Sequence, residues 1–236
     1  MSSKYLFTKE KLDECFKALG KEYRKRSGTH MPAEIILIGG ASVLINYSFR
    51  EMTDDADAII EATSVMKEAI SFVGDILGLP HNWLNADFKK TDSYSDKLQE
   101  VSKYYRQFSN VLTIRTVDAE YLIAMKLMSG RIYKYDLSDI AGILLEQKLQ
   151  GNPITKEQII SAVEYLYNKP LPKKSSEFLD GIFRRDYEQV YAELRQLETE
   201  NKEILLELQD DYPSMIIHDN MTDIIEKAKQ KKSSKG

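Results

Sequence analysis

The sequence predicts an α/β (α+β) fold: a small mixed β-sheet followed by a mostly helical second half. Three observations carry this. Ile35–Ile38 is a short, continuous, β-branched run, the pattern of a strand covered on both faces. Gly39-Gly40 follows at once, then a short apolar segment and a second strand pattern at Ala56–Ile60. From Asp118 onward, helical segments succeed one another without a strand pattern between them.

Taken in order, Leu12, Phe16, Leu19 and Tyr23 recur at helical spacing, which predicts a helix from Thr8 to Arg26, ended by Ser27-Gly28. The Ile35–Ile38 strand leads into a short helix over Ala41–Tyr47, and then the Ala56–Ile60 strand. Val65, Ile70, Val73, Ile76 and Leu77 give the inner face of a helix over Thr63–Leu77. Leu79–Asp87 reads as a loop around Trp83, and Asp92–Gln107 as a polar, exposed helix. Asn110–Thr116 reads as a third strand, after which Asp118 is a good N-cap for a helix through Met128. Asp136 or Ser138 opens the next helix, which ends near Gly151-Asn152-Pro153. Thr155 and Gln158 form a capping box for a helix to Tyr167. After Lys169–Lys174 the character changes, and Phe178–Leu208 reads as an amphipathic helix or helix pair. The lysine-rich end, Lys227–Lys235, reads as a frayed tail. Residues 1–150 are thus the predicted core and residues 151–236 a helical C-terminal region with its tail.

Composition sets outer limits. At 236 residues, 42% hydrophobic and 30% charged, the chain suits one large domain or two small ones. A net charge of −4 gives no global attraction to nucleic acid, so RNA contact would need a local basic patch. The single Cys15 rules out an intrachain disulfide and a thiolate zinc cage. His30, His81 and His218 have no ligand spacing. No apolar run is long enough to span a bilayer, and Met1–Tyr5 lacks the apolar core of a signal peptide, so the expectation is a cytoplasmic protein with no membrane partner.

The chemistry concentrates at Asp55 and Asp57. Strand side chains alternate, so both acids are expected on one face of the second strand. Two carboxylates there repel unless a cation lies between them, and Mg²⁺, which takes few carboxylates plus phosphate oxygens, is the usual answer. Gly39 and Gly40 let a phosphate approach the backbone near a helix N-terminus. Together these point to chemistry on a nucleoside triphosphate. Each feature has a plainer reading: a strand-to-helix turn uses glycine for geometry alone, and an exposed edge strand can carry Asp-x-Asp.

A second segment follows the same logic. Glu120–Met128 is apolar nearly all round, with Lys126 on the face shared by Leu122 and Ile123. Either the lysine stem lies along apolar surface and snorkels, or its ammonium aims at triphosphate oxygens. Asp136 and Asp139 then head an apolar helix, as N-caps or as site carboxylates.

The order of strand, Gly-Gly, short helix and Asp-x-Asp resembles the DNA polymerase β-type nucleotidyltransferase superfamily. Thr53-x-Asp55-x-Asp57 with Arg50 before it, then Lys126, Arg131 and the paired acids, is most similar to the AbiEii/AbiGii-type toxin nucleotidyltransferases and their uncharacterised relatives. The resemblance covers Ile35 to Leu145. It implies that Asp55 and Asp57 hold two Mg²⁺ ions, that Gly39, Gly40 and Ser42 hold the β- and γ-phosphates with Thr53 and Arg131 in the nucleotide site, and that Lys126 supports the triphosphate. Asp139 or Asp136 orients or deprotonates the acceptor. Many members of the superfamily carry a third carboxylate on a later strand; Val111–Ile114 has none, which leaves Asp87, Asp136 and Asp139 as substitutes. The implied substrate is an NTP, the acceptor an RNA or tRNA end or a protein hydroxyl, and the partner a cognate antitoxin. Two other readings stand beside this one: a weak or inactive nucleotide- or partner-binding module of the same fold, and a small-molecule (antibiotic-type) nucleotidyltransferase. The Trp83 loop could wall a nucleobase, or Trp83 could simply fill the core.

Overall fold

β1 (Ala33–Leu37) is the strand on which the sheet is built. It pairs in parallel with β5 (Leu112–Val117) and antiparallel with β2 (Ala56–Ile60). The two-residue β3 (Leu84–Asn85) continues the sheet beyond β2, and β4 (Ser102–Phe108) closes the other edge, giving the order β3-β2-β1-β5-β4. The computed structural model describes residues 5–60, 63–129 and 136–211, together with residues 224 and 227. Arg131 and the lysine-rich end past Lys227 lie outside the described residues.

The position of β1 accounts for its unbroken apolar run. Ile35 and Leu37 enter one core, and Ile36 and Ile38 enter the other. Helices α1 (Lys9–Ser27) and α3 (Ser64–Leu77) cover the first face, packing Leu12, Phe16, Leu19, Met66 and Val73 against it. α4 (Ala119–Ser129), α5 (Asp136–Leu149), α6 (Lys156–Tyr167), α7 (Lys173–Ile182) and α8 (Tyr187–Asp211) cover the second. α2 (Gly39–Asn46) sits at the end of β1 and contributes to both cores, Val43 to one and Leu44 to the other. The helices beyond residue 150 pack directly on α4 and α5: Leu122, Ile143, Ile159, Leu179 and Val190 belong to one continuous cluster. Among the described residues no helix is long and apolar enough to cross a membrane.

Local signals place most helix starts. The Thr8 hydroxyl accepts from the Lys11 amide at the head of α1, and Thr155 and Gln158 make both bonds of their capping box. The segment from Phe178 resolves into the end of α7 and all of α8.

The expected helix over Asp92–Gln107 is absent. A 3-10 turn at Asp96–Gln99 is followed by strand β4, paired antiparallel with β5. β4 is an edge strand buried only at Ser102 and Phe108, so its polar residues face solvent on both sides and no apolar alternation marks it. The turn into β5 passes through Ser109 and Asn110, at φ of 52° and 57°. Asparagine tolerates that left-handed region better than most residues, and this was the available sign of a hairpin.

The second layer is locked to α2 by an aromatic triad. Phe49 stacks on Tyr47 and meets Tyr191 of α8 edge-on. α5 passes so close that a Cβ at Gly142 would lie 2.7 Å from the Phe49 ring. Alanine at 142 would gain about 1 kcal/mol in helix propensity but incur about 1–3 kcal/mol of overpacking. Gly142→Ala is expected to lower the melting temperature by roughly 2–4 °C, read by thermal unfolding. An unchanged or higher value would mean that the ring can give way.

Candidate active site

The site begins where β1 ends. Gly39 starts α2 at φ +54°, a conformation side chains rarely adopt. Ile38 at the N-cap offers no side-chain cap, so the first amides of α2 retain their donor capacity and the positive end of the helix dipole. Gly40 is a glycine for a different reason. A Cβ there would lie 2.6 Å from Thr53 Oγ1 and 2.9 Å from Arg50 Nη2, so a threonine and a guanidinium occupy the space a side chain would need.

Asp57 lies on β2 with its neighbours Ala56 and Ala58 in the α1/α3 core, so the aspartate faces the opposite side, toward α4. Its Oδ2 is 3.6 Å from where a Cβ of Gly39 would be. Asp55 is one residue outside the strand and exposed, and its carbonyl oxygen accepts from the Thr53 hydroxyl at 3.2 Å. Among the described residues no three acidic, histidine or cysteine side chains gather as a metal cage. Asp57 beside the glycine turn, with Asp55 two residues before it, is a set of one or two carboxylates, the kind of donor set Mg²⁺ takes together with phosphate and water.

A small hollow opens beside Asp57. Gly39, Asp57, Lys126 and Asp136 form its polar lining; Phe88, Ser93, Leu122 and Met125 form the rest. Its volume of about 20 Å³ holds roughly one water. A triphosphate would therefore lie across its mouth or widen it.

Lys126 is only 6% exposed. Its Nζ lies 2.9 Å from Asp136 Oδ1 and 2.7 Å from Asp139 Oδ2. The Ser129 hydroxyl reaches the other Asp136 oxygen at 2.8 Å, and Arg50 Nη1 lies 2.5 Å from Asp139. The lysine thus does not snorkel; it is the centre of a buried network that, among the described residues, joins Arg50 and Lys126 to Asp136 and Asp139. Burial works against its charge, but Asp136 and Asp139 outweigh this and hold its pKa above the ordinary lysine value. A raised lysine pKa contributes stability in full at neutral pH, lost only as pH rises through the folded value.

Ser42, Thr53, Asp87 and Trp83 do not line the hollow. Ser42 is fully buried, and its hydroxyl accepts from the Val117 amide at 3.2 Å, tying α2 to β5. Thr53 is buried against Gly40. Arg131 lies outside the described residues. Asp87 pairs with Lys90 at 2.7 Å on the surface. Asp118 stands one residue before α4, half-exposed and 3.6 Å from Lys103. Trp83 is 1% exposed between Phe7 and Phe16, its indole N–H donating to the Ile70 carbonyl. It belongs to the α1/α3 core, on the opposite side of the sheet from Asp57, and so does not wall a base in the hollow. Sequence reasoning missed the packing of Arg50 on Gly40, the Ser129 bond and the Phe88 wall. Only the Leu122, Met125, Lys126 spacing, one helical face, signalled part of that lining.

Residues 14–195 match the model of a family described as nucleotidyltransferases of unknown function (DUF6036), and the chain belongs to that family. No curated protein and no solved structure matches it.

Removing one member of a buried ionic network leaves an uncompensated charge. Lys126→Met is therefore expected to lower stability by about 3–5 kcal/mol in urea unfolding, and Asp136→Asn by less, because the amide oxygen still accepts from Lys126 or Ser129. Equal losses would show that the two carboxylates do not share the lysine.

Proposed function

We propose that this nucleotidyltransferase family member moves an NMP from a nucleoside triphosphate to an acceptor hydroxyl with magnesium, in the manner of the AbiEii/AbiGii-type toxins that its motifs resemble. The observation that carries the reading is the meeting of Gly39, Asp57, Lys126 and Asp136, from four separate segments, around one hollow.

The chain's own groups divide the work. The first-turn amides of α2 face the phosphates, as helix N-termini commonly do. The Arg50 guanidinium, packed over Gly40, supplies charge-assisted donors beside them. Two of the three Lys126 donors serve Asp136 and Asp139, and the third is turned to a phosphate oxygen. Asp57, with Asp55, would hold up to two Mg²⁺ ions, whose contribution is to stabilise charge on the attacking and leaving oxygens. Asp136 lines the hollow and takes the acceptor proton; Asp139 fixes Arg50 and Lys126. The acceptor is an RNA or tRNA end, or a protein hydroxyl, and the biological setting a toxin with a cognate antitoxin.

The small hollow and the neutralised cations also favour a second reading, a nucleotide- or partner-binding module without turnover. Labelled NTPs, Mg²⁺ and total RNA separate the readings. Label is expected in RNA, lost with EDTA and reduced on the order of 10²-fold or more in Asp57→Ala, as removal of a metal carboxylate implies. Label in a small molecule would favour the antibiotic-type reading. Nucleotide binding without any product, unchanged in Asp57→Ala, would leave only the binding module.

Arg50→Ala tests the phosphate assignment. Loss of a charge-assisted bond worth about 1.5–3 kcal/mol should raise KM for the NTP roughly 10- to 100-fold. An unchanged KM would show that Arg50 serves only Asp139.

A further inference from the structure

The buried stripe of α8 contains two residues that hydrophobic packing does not explain. Val190, Glu198, Asn201 and Ile204 are each at most 8% exposed, at spacings of helical neighbours. An apolar residue would fill positions 198 and 201 with less desolvation. Instead Glu198 Oε2 accepts from the Ser138 hydroxyl at 2.7 Å and is 3.4 Å from Arg195 Nη1. Among the described residues, its Oε1 and the Asn201 Oδ1 are buried with no hydrogen-bond partner. Ser138 lies between Asp136 and Asp139 in the first turn of α5, where amides lack intrahelical partners and a carboxylate is a natural cap. Glu198 also takes a backbone hydrogen bond from Ser138. The family match ends at residue 195, three positions before this glutamate.

We propose that Glu198 is a positioning residue of the nucleotide site, holding from α8 the turn of α5 that carries Asp136 and Asp139, and that its charge tunes the pull of Arg50 and Lys126 on a triphosphate. This rests on the nucleotide reading above. Among the described residues, the groups facing it are Ser138 and Asp139 of α5 and Tyr191 and Arg195 of its own helix, with Arg50 and Lys126 one contact further through Asp139. Ionising Glu198 adds one negative charge to a network that includes Arg50, Lys126, Asp136 and Asp139. The neutral form therefore attracts an anion more strongly. Burial, with Asp139 adding like charge, raises its pKa to about 7 against the opposing Ser138 and Arg195. The two forms thus exchange near physiological pH.

The sign for stability follows. An acid with a raised folded pKa binds its proton more tightly when folded, so its stabilising effect is full below the ordinary glutamate value and is lost as pH rises through about 7. Glu198→Gln keeps the shape and removes the titration.

The test uses the full chain, with magnesium and inorganic tripolyphosphate as a base-free probe. From pH 6 to pH 8, wild-type affinity should fall relative to Glu198→Gln by roughly threefold to tenfold, the effect of one partly buried charge. Comparing the two proteins cancels the titration of the phosphate itself. Without ligand, the melting temperature of the wild type should fall relative to Glu198→Gln over the same range. Ser138→Ala removes a donor that favours the ionised form, so it should move the wild-type midpoint to higher pH. Coincident wild-type and Glu198→Gln binding profiles, in a protein that binds tripolyphosphate and loses it in Arg50→Ala, overturn this inference alone. Should Glu198→Gln fail to fold, an unmoved midpoint in Ser138→Ala overturns it. Absence of tripolyphosphate binding at every pH overturns the nucleotide reading and this inference with it.

Discussion

The structure depends on one buried ammonium. Lys126 lies between Asp136 and Asp139, and that bridge joins α4 to the first turn of α5 across the described residues. Arg50 extends the network to the segment before β2 and to the glycine turn. A buried cation with two carboxylates is expensive to assemble from water, and a hydrophobic filling of equal volume would commonly be as stable. Its presence beside a hollow is better understood through what it holds in place: a carboxylate, an ammonium and a guanidinium close to the glycine bend.

The two glycines illustrate how one dipeptide serves two constraints. Gly39 takes a left-handed backbone so that α2 can start at once after β1. Gly40 makes room for Arg50 and Thr53. The second role brings a guanidinium close to the helix N-terminus, so a side-chain cation stands beside the backbone amides there. Ser42, one turn along the helix, is by contrast part of the scaffold, accepting the Val117 amide where β5 ends.

The second layer of helices does more than cover the sheet. α6 and α7 pack on α4, and α8 packs on α5, so the elements that carry Lys126, Asp136 and Asp139 are enclosed from behind by the C-terminal half. The polar face that α8 turns toward Ser138 gives that half a chemical connection to the site. Phe49, packed between Tyr47 and Tyr191, gives it a mechanical one.

Much of this was legible in the chain itself, because it depends on neighbours in sequence. The unbroken Ile35–Ile38 run specifies a doubly covered strand, Gly39-Gly40 a sharp strand-to-helix turn, and Thr155 with Gln158 a helix start. The apolar surroundings of Lys126 marked its helix as buried, but neither reading of the lysine, snorkelling or aimed at a triphosphate, included its pairing with Asp136 and Asp139. Tertiary structure decided the rest. β4 is held by its pairing with β5 and not by its own pattern, so its polar edge read as helix. Trp83 carried no local sign of which side of the sheet it would fill. That Arg50 rests on Gly40, that Asp57 shares a hollow with Lys126 and Asp136, and that Glu198 accepts from the Ser138 hydroxyl 60 residues away are contacts between distant segments. Periodicity reports which face of an element is buried; it says nothing about which other element arrives there, and the chemistry of this site is made by those arrivals.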